Sequence, residues 1–269
     1  MKVLIKTHGR PFNQPTYKSL RAAGFTGQII FIVDDEDKTR EYLDWAEDCG
    51  CITFNKQSMI DDTESGVNNP SRNVNLYAWQ ACERYIRFSE DKRIIMADDD
   101  ITGFRYRYEE NGHLKSQPIT KNRDRVFEAV FDYMEEGDVC ATSLADSRMF
   151  FGGSVHESRA VYNFVFRNGR IKMDWMSEMY EETPTSVRAS IEGKYIQQLP
   201  FIQMNMVPVT GHSGDGMSAM YQKMGILHRS MYPLMFYPSS VELAANRTGH
   251  IVKIDNAYSK LVSSTCKKR

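Results

Sequence analysis

Residues 93–100 read Arg93-Ile94-Ile95-Met96-Ala97-Asp98-Asp99-Asp100, an apolar run of strand length that ends in three consecutive carboxylates. A short apolar run bounded by turn-forming residues is the pattern of a buried strand. Side chains alternate along a strand, so Asp98 and Asp100 are expected on one face and Asp99 on the other. Two carboxylates sharing a face repel each other unless a cation lies between them. Hard divalent cations take oxygen ligands, and a magnesium-like ion commonly uses one or two protein carboxylates plus substrate phosphates. The spacing therefore points to Asp98 and Asp100 as metal ligands beneath a diphosphate. The plain alternative is a solvated acidic turn, since an isolated D-x-D arises often by chance.

Upstream of this strand the chain alternates strand and helix. Residues 2–6, 28–33 and 51–54 read as strands. Residues 14–23 and 38–49 read as helices, the first closed by Gly24 and Gly27. This β-α-β-α-β order argues for an α/β fold, a mostly parallel central sheet flanked by helices, with ligands at the carboxyl ends of its strands. Residues 55–72 are polar and read as a loop. Residues 73–88 read as a helix, because Ala78, Ala81, Cys82 and Tyr85 recur on one face.

Downstream, residues 124–136 form an amphipathic pattern and 139–143 a strand pattern. Asn168-Gly169 lies between the apolar segments 161–167 and 170–174 and reads as a hairpin turn. Thr183 as N-cap, Pro184 at the first helical position and Gly193 as the stop frame a helix over 184–192, just after Glu181-Glu182. No repeat, low-complexity stretch or linker interrupts the chain, so residues 1–269 read as one domain.

Composition narrows the function classes. The net charge of −1 over 269 residues excludes a strong overall field for polyanions, so any nucleic acid must meet a local basic patch. Cys49, Cys51, Cys82, Cys140 and Cys266 form no C-x-x-C pair and read as reduced thiols. The opening apolar run is too short for a signal peptide, and no segment approaches the ~20 apolar residues of a membrane span. The expectation is a cytoplasmic protein, in the host cytoplasm if phage-encoded, with no membrane contact and an open oligomeric state.

The N-terminal layout together with IIMADDDITGF resembles the GT-A (Rossmann-like) fold of glycosyltransferases, in which a D-x-D motif holds Mn2+ or Mg2+ under a nucleotide-sugar. KTHGRP near the start, SRN before the 73–88 helix, DDDI and EETPTSVRASIEGK resemble the phage TET-associated DNA glycosyltransferases, a group associated with hydroxymethylated pyrimidines. The resemblance implies a nucleotide-binding half over 1–103, and an acceptor-binding half with a C-terminal lid over 104–269. Thr7, His8 and Arg10 would line the nucleotide pocket. Asp34 or Asp35 would accept a hydrogen bond from the base, taken as uracil, so that the donor is a UDP-sugar. Arg72 and Asn73 would meet phosphate or sugar oxygens at a helix N-terminus. Asp98 and Asp100 would handle metal and ribose.

GT-A enzymes often place an acidic residue before a helix such as 184–192 to bind the acceptor hydroxyl, and inverting members use it as general base. The family's usual Glu-Asp stands here as Glu181-Glu182, which leaves open which carboxylate acts; Glu182 is favoured. Both also suit the helix dipole as plain terminal anions. His212, in a glycine-dense loop, and His250 are candidates for the third metal ligand, and Arg247 and Lys253 for diphosphate contacts. For hydroxymethylated DNA as acceptor, Arg105, Arg107, Lys115, Lys121, Arg123 and Arg125, with Tyr106 and Tyr108, form a basic and aromatic segment. A solvated strand edge explains the same alternation. Three alternatives stay open: transfer to a small-molecule, lipid or protein hydroxyl; a nucleotidyltransferase, disfavoured by the lack of a glycine-rich loop after the first strand; and a noncatalytic nucleotide- or DNA-binding module.

Overall fold

The computed structural model describes residues 1–146, 156–157, 161–207, 217–246 and 249–254. The first half runs β1 (Lys2–Lys6), α1 (Pro15–Ala22), β2 (Gln28–Asp34), α2 (Thr39–Trp45), β3 (Gly50–Phe54), α3 (Lys56–Asp62), α4 (Leu76–Phe88) and β4 (Arg93–Asp98). It continues with β5 (Ile101–Glu110), β6 (His113–Pro118), α5 (Arg123–Glu136), β7 (Val139–Ala145), β8 (His156–Glu157) and β9 (Phe164–Asn168). Last come α6 (Glu182–Ile191), β10 (Tyr195–Met206), α7 (Met217–Phe236), and the antiparallel pair β11 (Val241–Asn246) and β12 (Gly249–Ile254).

One sheet of ten strands organises the molecule, in the order β3-β2-β1-β4-β9-β7-β10-β5-β6, with β8 paired to β10. β3, β2, β1 and β4 are mutually parallel. β9 runs antiparallel between β4 and β7, β10 is parallel to β7, and β5 and β6 close the far edge as an antiparallel hairpin. Most strands therefore point one way, as the β-α-β-α-β reading of the N-terminal half implies. Alternation within β1 builds two cores. Val3 and Ile5 join Leu20, Phe31, Phe127, Phe164 and Phe166 on one face, under α1, α2 and α5. Leu4 joins Ile30, Trp79, Met96 and Trp175 on the other, with α3, α4, α6 and α7. Among the described residues no helix is long and apolar enough to cross a membrane.

Several local expectations are corrected. Residues 56–62 of the expected loop form α3, because the Asn55 side chain accepts the Ser58 N–H at 2.8 Å as an N-cap. α4 starts at Leu76, so Asn73 precedes the helix and is not its cap. No strand follows Asn168-Gly169; β9 instead pairs with β4 and β7. Gly169 makes a close approach there, since a Cβ would sit 3.1 Å from the Ile86 side chain and 3.2 Å from the Lys92 backbone. The hairpin of that sequence type is Asn111-Gly112, both at positive φ (53° and 75°), joining Glu110 to His113 across the β5–β6 pair. Finally, α6 starts two residues early, with Glu181 at its N-cap and Glu182 first in the helix. Pro184 still fits, because its missing N–H is one that the first turn leaves unbonded.

Candidate active site

β1 and β4 end side by side, Lys6 in register with Asp98, and the chain leaves the sheet there at the carboxyl edge. Beside this edge lies a cavity of about 220 Å3, lined by Asp98, Trp79, Tyr162, Asn163, Trp175, Glu181 and Glu182 among others. Trp79 and Trp175 stack with ring centroids 4.3 Å apart and planes 9° from parallel, forming a rigid apolar wall. Among the described residues the buried Trp175 indole N–H meets no acceptor. The Asp98 N–H donates to the Asn163 carbonyl at 2.8 Å, which fixes the cavity's position on the strand end.

The three aspartates divide their work. β4 ends at Asp98, and Asp99 and Asp100 lie in the turn before β5, so strand alternation stops one residue short of the expected pair. Asp99 does point elsewhere. It accepts Thr7 Oγ1 at 2.6 Å and Arg10 at 3.2 Å, and its carbonyl accepts the Thr16 N–H at 3.2 Å. Thr7 and Arg10, expected in the nucleotide pocket, are thereby tied to Asp99, with Gln14 donating to Thr7 Oγ1 at 2.8 Å. Asp98 lines the cavity and accepts the Lys6 ammonium. Asp100 follows in the turn, its carbonyl bonded to the Val207 N–H at 2.9 Å, and its charge reaches Lys6.

Lys6 is buried and lies over the Trp79 ring at 4.1 Å. Burial lowers its pKa, while Glu181, Asp99 and Asp100 act in the opposite sense. The residue was not singled out in the sequence. Its signal was there: a charge at the last position of a central strand, directly after the apolar run Val3-Leu4-Ile5. Trp79, Trp175, Tyr162 and Asn163 were missed as well, since each reads as core or loop until the fold brings it to Asp98.

Glu181 and Glu182 sit at the N-terminus of α6 and both line the cavity. Burial raises the pKa of Glu181, opposed by Lys6 and by a hydrogen bond from Trp79. Burial also pushes Glu182 up to about 8, and the adjacent Glu181 charge adds to this. Both carboxyls are thus held above the ordinary range by burial, Glu181 beside the Lys6 cation and the Trp79 indole, and Glu182 beside Glu181. A pair of this kind can hold a hydroxyl and accept its proton.

The remaining candidates form a second cluster at the ends of β1, β2 and β3. His8 Nδ1 is 2.8 Å from Asp34, and Lys56 is 3.3 Å from Asp34 and 3.0 Å from Glu36. The Asp34 hydrogen bond raises the His8 pKa. Burial alone would raise Asp34, but His8 and Lys56 outweigh it and hold the carboxyl below its ordinary value. Asp35 accepts the Lys56 N–H at 3.0 Å and Asn55 Nδ2 at 2.7 Å, fastening the start of α3. Arg72 is exposed and binds Glu36 and, at 2.6 Å, Gln57. The Asn73 N–H donates to Ser71 Oγ at 3.3 Å. His212 and Arg247 lie outside the described residues. His250 belongs to β12, and its side chain, like that of Lys253, lies outside them too.

Asp98 and Asp100 offer the oxygen donors a hard cation takes, and such an ion completes its shell with phosphate and water. Among the described residues no three His, Cys, Asp or Glu side chains converge as a ready-made metal cage. Two carboxylates leave most of such an ion's shell to be filled by other oxygens. On the basic segment the structure is selective. Arg107 is buried, bonded to Gln203 at 3.0 Å and to the Asp146 carbonyl at 2.8 Å. Arg123 is buried over Phe104 at 4.2 Å. Lys121, Arg125, Tyr106 and Tyr108 are exposed.

Comparison with known proteins gives the following. Residues 1–209 match the family described as TET-associated glycosyltransferase. No protein of curated function matches in sequence. Among solved structures, mouse xyloside xylosyltransferase 1 in its apo form is 13% identical, covering 63% of this chain and 68% of its own, with a TM-score of 0.35. A CMP:2-keto-3-deoxy-manno-octonic acid synthetase complexed with CTP is 12% identical, covering 82% of this chain and 95% of its own, with a TM-score of 0.40. The family match spans well over half of the sequence and includes the strand ends, the aspartate triplet and the Glu181–Glu182 pair. The chain belongs to the TET-associated glycosyltransferase family and is a glycosyltransferase.

Proposed function

We propose that the enzyme transfers a sugar from a UDP-sugar to the hydroxymethyl group of a modified pyrimidine in DNA, in the cavity between Asp98 and Glu182. The observation that carries this reading is the acidic pair at the α6 N-terminus lining the same cavity as Asp98. The donor sugar would lie against Asp98, and its diphosphate toward Asp100 and the β1 loop of Thr7, His8 and Arg10. A Mn2+ or Mg2+ ion held by Asp98 and Asp100 would offset the charge of the departing diphosphate.

In this reading Glu182 accepts the proton of the acceptor hydroxyl as its oxygen bonds to the anomeric carbon. The bond from that carbon to the diphosphate breaks, and UDP leaves with the electron pair. Glu181 lies beside Lys6 and Trp79, and whenever it is ionised its charge raises the basicity of Glu182. Asp34, at the end of β2, and His8, bonded to it from the loop after β1, would meet the base of the nucleotide. Exposed Lys121 and Arg125 beside Tyr106 supply a basic and aromatic surface for DNA, whereas Arg107 and Arg123 are committed to the fold.

The test is release of UDP from a panel of UDP-sugars with Mn2+, with and without hydroxymethylcytosine DNA. Stimulation by the modified DNA alone is expected. Equal stimulation by unmodified DNA, or turnover of nucleoside triphosphates in place of nucleotide-sugars, would refute the assignment. The wild-type rate should vanish in Asp98→Asn and Glu182→Gln.

A further inference from the structure

Lys6 occupies an unusual position. Its side chain is 3% exposed, its ammonium is held by Asp98, and the Trp79 ring lies against it at 4.1 Å. The fields of Glu181, Asp99 and Asp100 also meet at this point. A buried ammonium is stable only when carboxylates and hydrogen bonds replace its water, and Asp98 is the carboxylate bonded to this one. The carboxylate that Lys6 holds is also the one that faces the cavity. A divalent ion at Asp98 would therefore face a competitor already bonded to its ligand, and the two cations would repel across a few ångströms.

We propose that Lys6 and the divalent cation are alternative partners of Asp98. Without donor, Lys6 holds the carboxylate and keeps metal affinity low. When metal arrives with a diphosphate, the phosphate oxygens offer Lys6 a second anion, and Asp98 is released to the metal. Metal and nucleotide would then bind together and each only weakly alone. The proposal rests on the metal role assigned to Asp98 above, and Lys6 acts in it as a positioning residue through that carboxylate.

The test is Mn2+ binding to the purified protein, read from the signal of free Mn2+ by electron paramagnetic resonance, with and without UDP. Wild type should bind Mn2+ at least about tenfold more tightly with UDP than without, corresponding to coupling of ~1.4 kcal/mol. Lys6→Met and Lys6→Gln should bind Mn2+ at least about tenfold more tightly than wild type when UDP is absent, while Lys6→Arg should stay near wild type. A merely structural role for Lys6 would weaken binding in the variants, not strengthen it. Equal or weaker affinity in folded Lys6→Met and Lys6→Gln overturns the proposal alone. So does a wild type that binds Mn2+ equally with and without UDP, a result that needs no variant to fold. If no form binds Mn2+ under either condition, the metal reading itself fails, and the proposal with it.

Discussion

Replacing Glu182 by Gln should make the ligand-free protein more stable, and more so as pH rises. The reason lies in its surroundings: burial and the adjacent Glu181 push the Glu182 carboxyl from 4.5 up to about 8. Between those values the folded protein holds a proton that the unfolded chain has lost. Stability therefore falls as pH rises from about 4.5 to about 8, and the loss is complete above that. The gap sets a ceiling of about 5 kcal/mol at ~1.4 kcal/mol per pH unit. Water entering the cavity beside the ionised pair lowers this, and about 2 kcal/mol is the expected gain from Gln at about pH 9. At about pH 5 the carboxyl is already protonated, and Gln, nearly its isostere, should change little. For a domain of this size each kcal/mol moves Tm by about 2–4 °C, so thermal unfolding should show a gain of about 4–8 °C at the higher pH. A Tm difference that is the same at both pH values would refute the reasoning, because it would mean that Glu182 ionises as freely in the fold as out of it.

Other consequences follow from the same geometry. With Glu182 in its proposed role as base, kcat/KM of the wild type should rise with pH to about 8, because only the ionised carboxylate accepts a proton; a steady-state profile flat from about pH 6 to about pH 9 would remove it from that role. Arg123→Met and Arg107→Ala should lower stability by about 1–3 kcal/mol in urea unfolding and leave the salt dependence of DNA binding unchanged. Arg125→Ala should instead lower the slope of log affinity against log salt by about 1, read by fluorescence anisotropy, with little effect on Tm. Gly169→Ala should cost about 1–3 kcal/mol because its Cβ would press on the Lys92 backbone. Gly112→Ala should cost about 1 kcal/mol through its positive φ alone.

The parallel half of the fold was legible because its signals are local and periodic. Apolar runs at 2–6, 28–33 and 93–97 stand between amphipathic stretches, and their order dictates parallel pairing. The aspartate triplet was legible for the same reason, since a strand must end somewhere and its end is where carboxylates can meet solvent and ligand. Lys6 was not, because its partner lies 92 residues away and only the β1–β4 register joins them. The Trp79–Trp175 wall is likewise a product of α4 packing against the segment before α6. Asn168-Gly169 misled because the dipeptide permits a type I′ turn without requiring one, and β4 and β7 offered β9 better partners on both edges. Asn111-Gly112 carries the same signal with polar, exposed flanks, so the apolar pattern that drew attention to residues 161–174 was absent there. In the acidic pair, the start of α6 at Glu182 was hidden by Thr183-Pro184, which forms as good a cap signal one turn position later.

The proposed site of sugar transfer is the cavity shared by Asp98 and the Glu181–Glu182 pair. The most direct measurement is mass spectrometry of hydroxymethylcytosine DNA after incubation with UDP-sugar and Mn2+, for wild type beside Glu182→Gln. Wild type should add the mass of one sugar residue to the hydroxymethyl base, and the variant, whose amide cannot accept the proton, should do so at least about a hundredfold more slowly. Equal rates of sugar addition by the two proteins would contradict it and place the chemistry elsewhere on the chain.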